Sequence, residues 1–218
     1  MSNFSAEWER PEFDTVPSLA ANAVWQLRGC DDTILRMTLR DVYRDFCKRG
    51  AALRTWRKIE LEAKEECYVV APVLSGEIDC VTQVLRYGRW PLRQGRDWSV
   101  AGDPPVLRLP FAKHIIAPDL AVEDVPPDFV MVEAVEIPHI GEERAPTSFL
   151  RRYGDAIIEG ALARLMSMEN RPWSDAGQAA QHAIAYQNAV SEARQRSLRS
   201  GPAANPGPRF AVDMSGAI

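Results

Sequence analysis

Helical periodicity stands at both ends of this 218-residue chain, and a strand-like pattern fills the middle. That order constrains the fold more than any other feature. Toward the N-terminus, Val16 to Leu27 carries Leu19, Ala23 and Leu27 four apart, with Pro17 suited to a first helical turn and Gly29 to its end. Asp31 or Asp32 then caps a second helix, in which Leu35, Leu39, Val42 and Phe46 form one apolar stripe that Gly50 closes. Helical spacing returns after Pro146, where Leu150, Gly154, Ile157, Ala161, Leu165 and Met168 form a seam capped by Thr147 or Ser148. Gly154 suits a close helix neighbour, whereas Gly160 reads nearly as well as an incidental surface glycine. The turn Asn170 to Trp173 leads to a last helix, capped by Ser174, with Ala179, Ala183, Tyr186, Val190 and Ala193 on one face. So short a connection folds these two helices back as an antiparallel hairpin, with Trp173 packing the turn.

Between the helical ends the period changes to that of strands. Thr55 to Leu61, Glu66 to Val70, Ile78 to Leu85, Val106 to Leu109 and Asp128 to Ile137 are short and bounded by proline or glycine. In the last of these, Glu133 and Glu136 interrupt Val130, Val132, Ala134 and Ile137 as in a half-buried strand. Two separate helix pairs of this length are each marginal, so the four helices are expected to share one core. The predicted fold is therefore α+β: a discontinuous four-helix bundle with an inserted antiparallel β domain and an extended C-terminal tail. Its expected divisions are an N-terminal arm at 1–15, the bundle at 16–52 plus 146–199, the β domain at 53–145 and the tail at 200–218. The tail is rich in proline and glycine, yet Phe210, Val212 and Met214 alternate with period two and Ile218 follows. Such a segment fits strand addition to another chain's sheet, or a frayed terminus.

Composition is ordinary for a globular chain, and the formal net charge of -4 argues against a dedicated nucleic-acid binder. No apolar run is long enough for a membrane-spanning helix, and the polar start Met1 to Arg10 lacks the features of a signal peptide, so a cytosolic chain is expected. Cys30, Cys47, Cys67 and Cys80 form no C-x-x-C pair and lie far from His114, His139 and His182, which leaves small buried thiols as the reading. No metal and no cofactor is expected. Phosphate-loop, dinucleotide, zinc-protease and nucleophile-elbow motifs do not occur. Enzyme chemistry therefore has no positive support, and the expectation is a protein without catalytic residues. The rival classes are a small soluble hydrolase using carboxylates of the β domain and a DNA-binding regulator using the basic helix.

Charge is unevenly placed along the chain. Residues 34 to 58 hold eight basic side chains against two acidic, while residues 114 to 143 hold eight acidic side chains and no Lys or Arg. Arg36, Arg40 and Arg44 lie four apart on the second helix. Such a split suits a surface that faces another protein of opposite sign.

Two stretches carry a resemblance. Leu39 to Val70, "LRDVYRDFCKRGAALRTWRKIELEAKEECYVV", resembles the opening of the head-to-tail adaptor proteins of tailed phages: an amphipathic helix ending in an aromatic-Cys pair, Phe46-Cys47, leads into a strand bearing Trp56. Tyr153 to Ser200 is similar to the same family's closing hairpin through G-A-L-A-R-L at 160–165, R-P-W-S at 171–174 and an Arg-rich helix end. The family is also called connector or tail tubular proteins, with relatives in prophages and gene transfer agents.

The resemblance implies a structural virion protein of the neck or tail, assembled in the host cytoplasm. It implies a ring, a dodecamer in this family, below the portal protein. That ring extends the channel through which genomic DNA passes without specific binding, and it carries a downstream tail (nozzle, stopper or tail tube) protein. It also implies that the C-terminal segment reaches the portal, which makes Phe210, Val212, Met214 and Ile218 the candidate portal-binding residues. In a ring every interface joins two different surfaces. Arg36, Arg40 and Arg44 on one side and Glu133 and Glu136 on the other are the candidate subunit interface. The loops between Arg86 and Pro110 have no counterpart in the family pattern.

Overall fold

The computed structural model describes residues 12–62, 65–87, 90–110, 112 and 128–199. It is an α+β protein with four α-helices and antiparallel sheets. Contacts divide the chain into two compact units: the described residues of 1–53, 71–79 and 136–194, and those of 54–70, 80–135 and 195–218. In this division 71–79 and 136–145 group with the helices, and 195–199 with the strands of the second unit. Residues 1–11 and 200–218, and with them Phe210, Val212, Met214 and Ile218, lie outside the described residues.

In the helical unit, strand β1 (Phe13–Thr15) pairs antiparallel with β9 (Arg144–Pro146), Asp14 opposite Ala145. The expected first helix is broken into a 3-10 turn (Val16–Leu19), a single turn α1 (Ala20–Ala23) and a second 3-10 turn (Val24–Gln26). Neither Thr15, Leu19 nor Ala23 supplies a side-chain cap bond to these turns. What holds the segment is burial of Val16, Ala20, Ala23 and Leu27, one position away from the expected stripe at its start.

Helix α2 (Asp32–Gly50) matches the periodicity closely. Its cap is Asp31, whose carboxylate accepts from the Thr33 amide at 2.8 Å. Leu35, Leu39, Val42 and Phe46 are all buried. The helix does not end on a left-handed glycine: Ala51 takes that conformation with φ +47°. Gly50 serves close packing instead, since a Cβ there stands 3.2 Å from the Ala193 methyl.

Helix α3 (Thr147–Met166) begins after Pro146, whose side chain caps nothing; the Thr147 amide and hydroxyl both donate to the Glu12 carbonyl. Helix α4 (Ala176–Arg199) is capped by Asp175, which accepts from the Gln178 amide at 2.9 Å. Ser174, the expected cap, closes the preceding turn by bonding the Arg171 amide and the Met168 carbonyl. Helix α4 folds back along α3, bringing His182 to Glu159. Gly160 is no incidental surface position. A Cβ there meets Val42 Cγ1 at 2.6 Å and the Tyr186 ring at 2.8 Å, so glycine is what lets α2, α3 and α4 converge. The core at this junction is aromatic, with Phe46 5.1 Å from Tyr153 and 6.0 Å from Tyr186 between ring centroids.

Trp173 closes the hairpin turn and belongs to the same buried cluster. Trp173→Ala is expected to lower stability by about 3 kcal/mol, because a large buried ring leaves a cavity that its neighbours only partly fill. Trp173→Phe is expected to keep more than half of that. Chemical denaturation of both variants checks it.

The second unit holds two sheets. One runs in the order β2 (Arg54–Glu60), β8 (Phe129–Pro138), β4 (Gly76–Arg86), β5 (Trp90–Pro91), and the unit boundaries fall within β4 and β8. The other runs β3 (Cys67–Val69), β7 (Val106–Arg108), β6 (Ser99–Ala101). Register in the first is set by Thr55 opposite Ala134 and Arg57 opposite Val132. Strand β8 is buried from Val130 onward, including both glutamates, rather than along one face. Its alternating pattern suggested a half-buried strand because Glu133 and Glu136 read as solvent-facing. Each has a fixed partner within its own unit instead.

Candidate functional site

Burial decides the first question about the expected interface carboxylates. Glu136 is 1% exposed, and its two oxygens accept the backbone amides of Val73 at 3.1 Å and Leu74 at 3.2 Å. Glu133 accepts from Arg54 Nη1 at 3.0 Å and from the Thr82 hydroxyl at 2.5 Å. A carboxylate so engaged pins loop 73–74 or ties β2 to β8 and is not presented to a neighbouring molecule. Glu133 and Glu136 are therefore corrected from interface candidates to internal structural groups.

The arginine stripe of α2 meets acidic partners inside its own unit. Arg36 pairs with Asp32 at 2.6 Å, Arg40 with Glu143 at 3.0 Å, and Arg44 with Glu77 at 3.4 Å while Nε donates to the Pro138 carbonyl. Arg40 thus reaches the acidic block within one molecule. Pairs at this exposure contribute little stability, but they lower the charge left for a partner of opposite sign. The unevenness along the sequence is in part closed on folding.

Nearby, Glu142 receives the Arg144 side chain at 3.0 and 3.1 Å, the Arg144 amide at 2.9 Å and the Ser75 amide at 3.0 Å. The Arg144 guanidinium, assisted by those two amides, holds the Glu142 carboxyl below its ordinary value of 4.5. A lowered folded-state value means that this contribution is complete above the unfolded value and fades as pH falls below it. Stability of the chain is therefore expected to drop with acidification below about pH 4.5, and Glu142→Gln to flatten that drop. Denaturant melts of both forms from neutral to acid pH measure the difference.

A concave feature of the helical unit lies where α2, α3 and α4 meet. It is a groove of about 540 Å³. Its apolar wall comes from Ala163 of α3 and from Ala176, Ala179, Ala180 and Ala183 of α4. Those four α4 alanines are spaced three, one and three apart, which places them on one helical face. The spacing was open to reading from sequence, but alanine alone does not separate a groove from an ordinary helix contact. Asp45 organises the polar end. It accepts the Tyr186 hydroxyl at 2.8 Å and faces Arg49 at 3.3 Å and Arg164 at 3.6 Å. Burial first, and the bond to Asp45 second, push the Tyr186 phenol up, so it remains a neutral donor. The groove thus sets an alanine wall beside the charged side chains of Asp45, Arg49 and Arg164.

Catalytic geometry does not emerge from the remaining candidates. His182 Nδ1 bonds Glu159 at 2.6 Å and His139 Nδ1 lies 3.0 Å from the Ile140 carbonyl. His114 lies outside the described residues. None of the four cysteines forms a disulfide. Cys47 alone is fully buried, and burial pushes its thiol well up; Cys30 is half-buried, and Cys67 and Cys80 are exposed, against the expectation that all four are buried. No group of three or more metal-ligating side chains occurs among the described residues. No helix among them is long and apolar enough to cross a membrane. No protein-family model and no curated protein matches this chain.

Proposed function

We propose that this chain is a structural virion protein: a head-to-tail adaptor that forms a ring below a portal, extends the DNA channel and carries the next tail component. In this reading it is a helical bundle interrupted by a β insertion and followed by an extended tail, it works in the virion neck after assembly in the host cytoplasm, and it performs no chemistry. One observation carries the reading. The helical parts of the two stretches that resemble the adaptor family, far apart in the chain, pack on each other at their most specific residues: Gly160 of G-A-L-A-R-L lies against Val42, and Phe46 of the aromatic-Cys pair lies against Tyr153.

The test is co-expression with a candidate portal protein from the same genome. Particles imaged by electron microscopy are expected to carry a ring of this polypeptide beneath the portal. Deleting residues 201–218 is expected to leave the helical melting transition in place and abolish co-sedimentation with portal particles, because the candidate portal-binding residues lie there. Normal sedimentation of the truncated chain, or particles without a ring, overturns the reading.

A further inference from the structure

The 3-10 turn after α1 presents an unusual surface. Trp25 is 69% exposed and Val24 48%, whereas Ala23 before them and Leu27 after them are fully buried. The two apolar side chains are thus held outward on a backbone anchored from both sides. A single exposed hydrophobe needs no explanation. Here, however, Arg28 follows two residues after that turn, exposed and without an ion pair among the described residues. The alanine-lined groove of α3 and α4 is the counterpart. None of Val24, Trp25 and Arg28 lines it, its volume admits an indole beside an isopropyl group, and its outer edge carries Glu169, likewise exposed and without an ion pair among the described residues.

We propose that Val24 and Trp25 of one copy insert into the alanine-lined groove of a second copy of this chain, with Arg28 of the first set against Glu169 of the second. The inference rests on the ring reading and names the contact through which neighbours join. Knob and groove are different surfaces of the same molecule, so the contact is head-to-tail and each copy retains a free knob and a free groove for the next. Charge complementarity sets the orientation: Arg28 travels with the knob and Glu169 with the groove. Inside the groove, the indole face meets the Arg164 guanidinium, a stacking that strengthens as water leaves. The anchoring of the turn by Ala23 and Leu27 means that little ordering remains for association to oppose.

Photo-crosslinking tests it. Benzoylphenylalanine is placed at position 25 of the otherwise intact full chain, at high protein concentration and without portal. Irradiation is expected to give adducts between copies that map to 163–183 of the acceptor. Ala180→Lys in the acceptor is expected to lower their yield about tenfold, as is Arg28→Glu, while Arg28→Glu combined with Glu169→Lys restores most of it. All these positions are exposed, and thermal melts matching the parent chain confirm folding. Adducts elsewhere, no adducts between copies, or no rescue by the charge swap overturns the contact. A ring seen beneath the portal with adducts outside the groove sinks this inference and leaves the ring reading standing. Groove adducts with no ring beneath the portal do the reverse.

Discussion

Phe46→Ala is expected to destabilise the helical unit by about 3–5 kcal/mol, the range for removing a large ring from a packed core. Phe46 is fully buried, and three aromatic rings from α3 and α4 surround it: Phe149 at 6.3 Å, Tyr153 at 5.1 Å and Tyr186 at 6.0 Å. Collapse around the void is opposed by the close approach at Gly160, where Val42 and Tyr186 already meet the α3 backbone with no room to shift. The melting transition is expected to fall by about 10 °C, at roughly 2–4 °C per kcal/mol for a chain of this size. Phe46→Leu, which keeps most of the volume, is expected to lose less than half as much. Equal losses for the two variants would show that the rings around Phe46 do not form a rigid cage.

Arg54→Met is expected to cost about 3–5 kcal/mol, because it leaves the Glu133 carboxylate without its cation in a largely buried place. The side chains of Arg54 and Glu133 are only 15% and 11% exposed, and Arg54 also donates to the Ser197 carbonyl and hydroxyl. The double variant Arg54→Met/Glu133→Leu is expected to recover most of the loss, since removing both charges also removes the need to solvate either. Thr82 keeps a partner in that variant, as its hydroxyl also lies 3.3 Å from the Glu133 carbonyl. Urea denaturation of the single and double variants forms a cycle whose coupling energy is the measured quantity. Additive losses would mean that the pair is hydrated and weak.

How legible the molecule was depends on the range of the interaction concerned. The stripe Leu35, Leu39, Val42, Phe46 predicted α2 and its buried face, because helical register is a local property that each turn repeats. Likewise, strands beginning near Arg54, Gly76 and Phe129 follow from period and punctuation. Features set by distant partners were misread or missed. The pairing of Phe13–Thr15 with Arg144–Pro146 joins short polar segments with no periodicity of their own. Glu133 and Glu136 looked like a solvent face, since a carboxylate in a strand reads as exposed until an arginine or a pair of loop amides is brought to it. The groove followed the same logic. Its alanines fall on one face of α4, yet a groove forms only once folding brings Asp45, Arg49 and Arg164 of the neighbouring helices beside that face.

The order of residues along this chain sufficed to set where the three long helices and the main central strands lie and which side of α2 is apolar, since those follow from spacing over one or two turns. Which glutamates are interior, which glycine admits a neighbouring helix, and which arginines stay unpaired required three-dimensional assembly. Burial and charge pairing belong to groups that meet only when segments far apart in the chain are packed together.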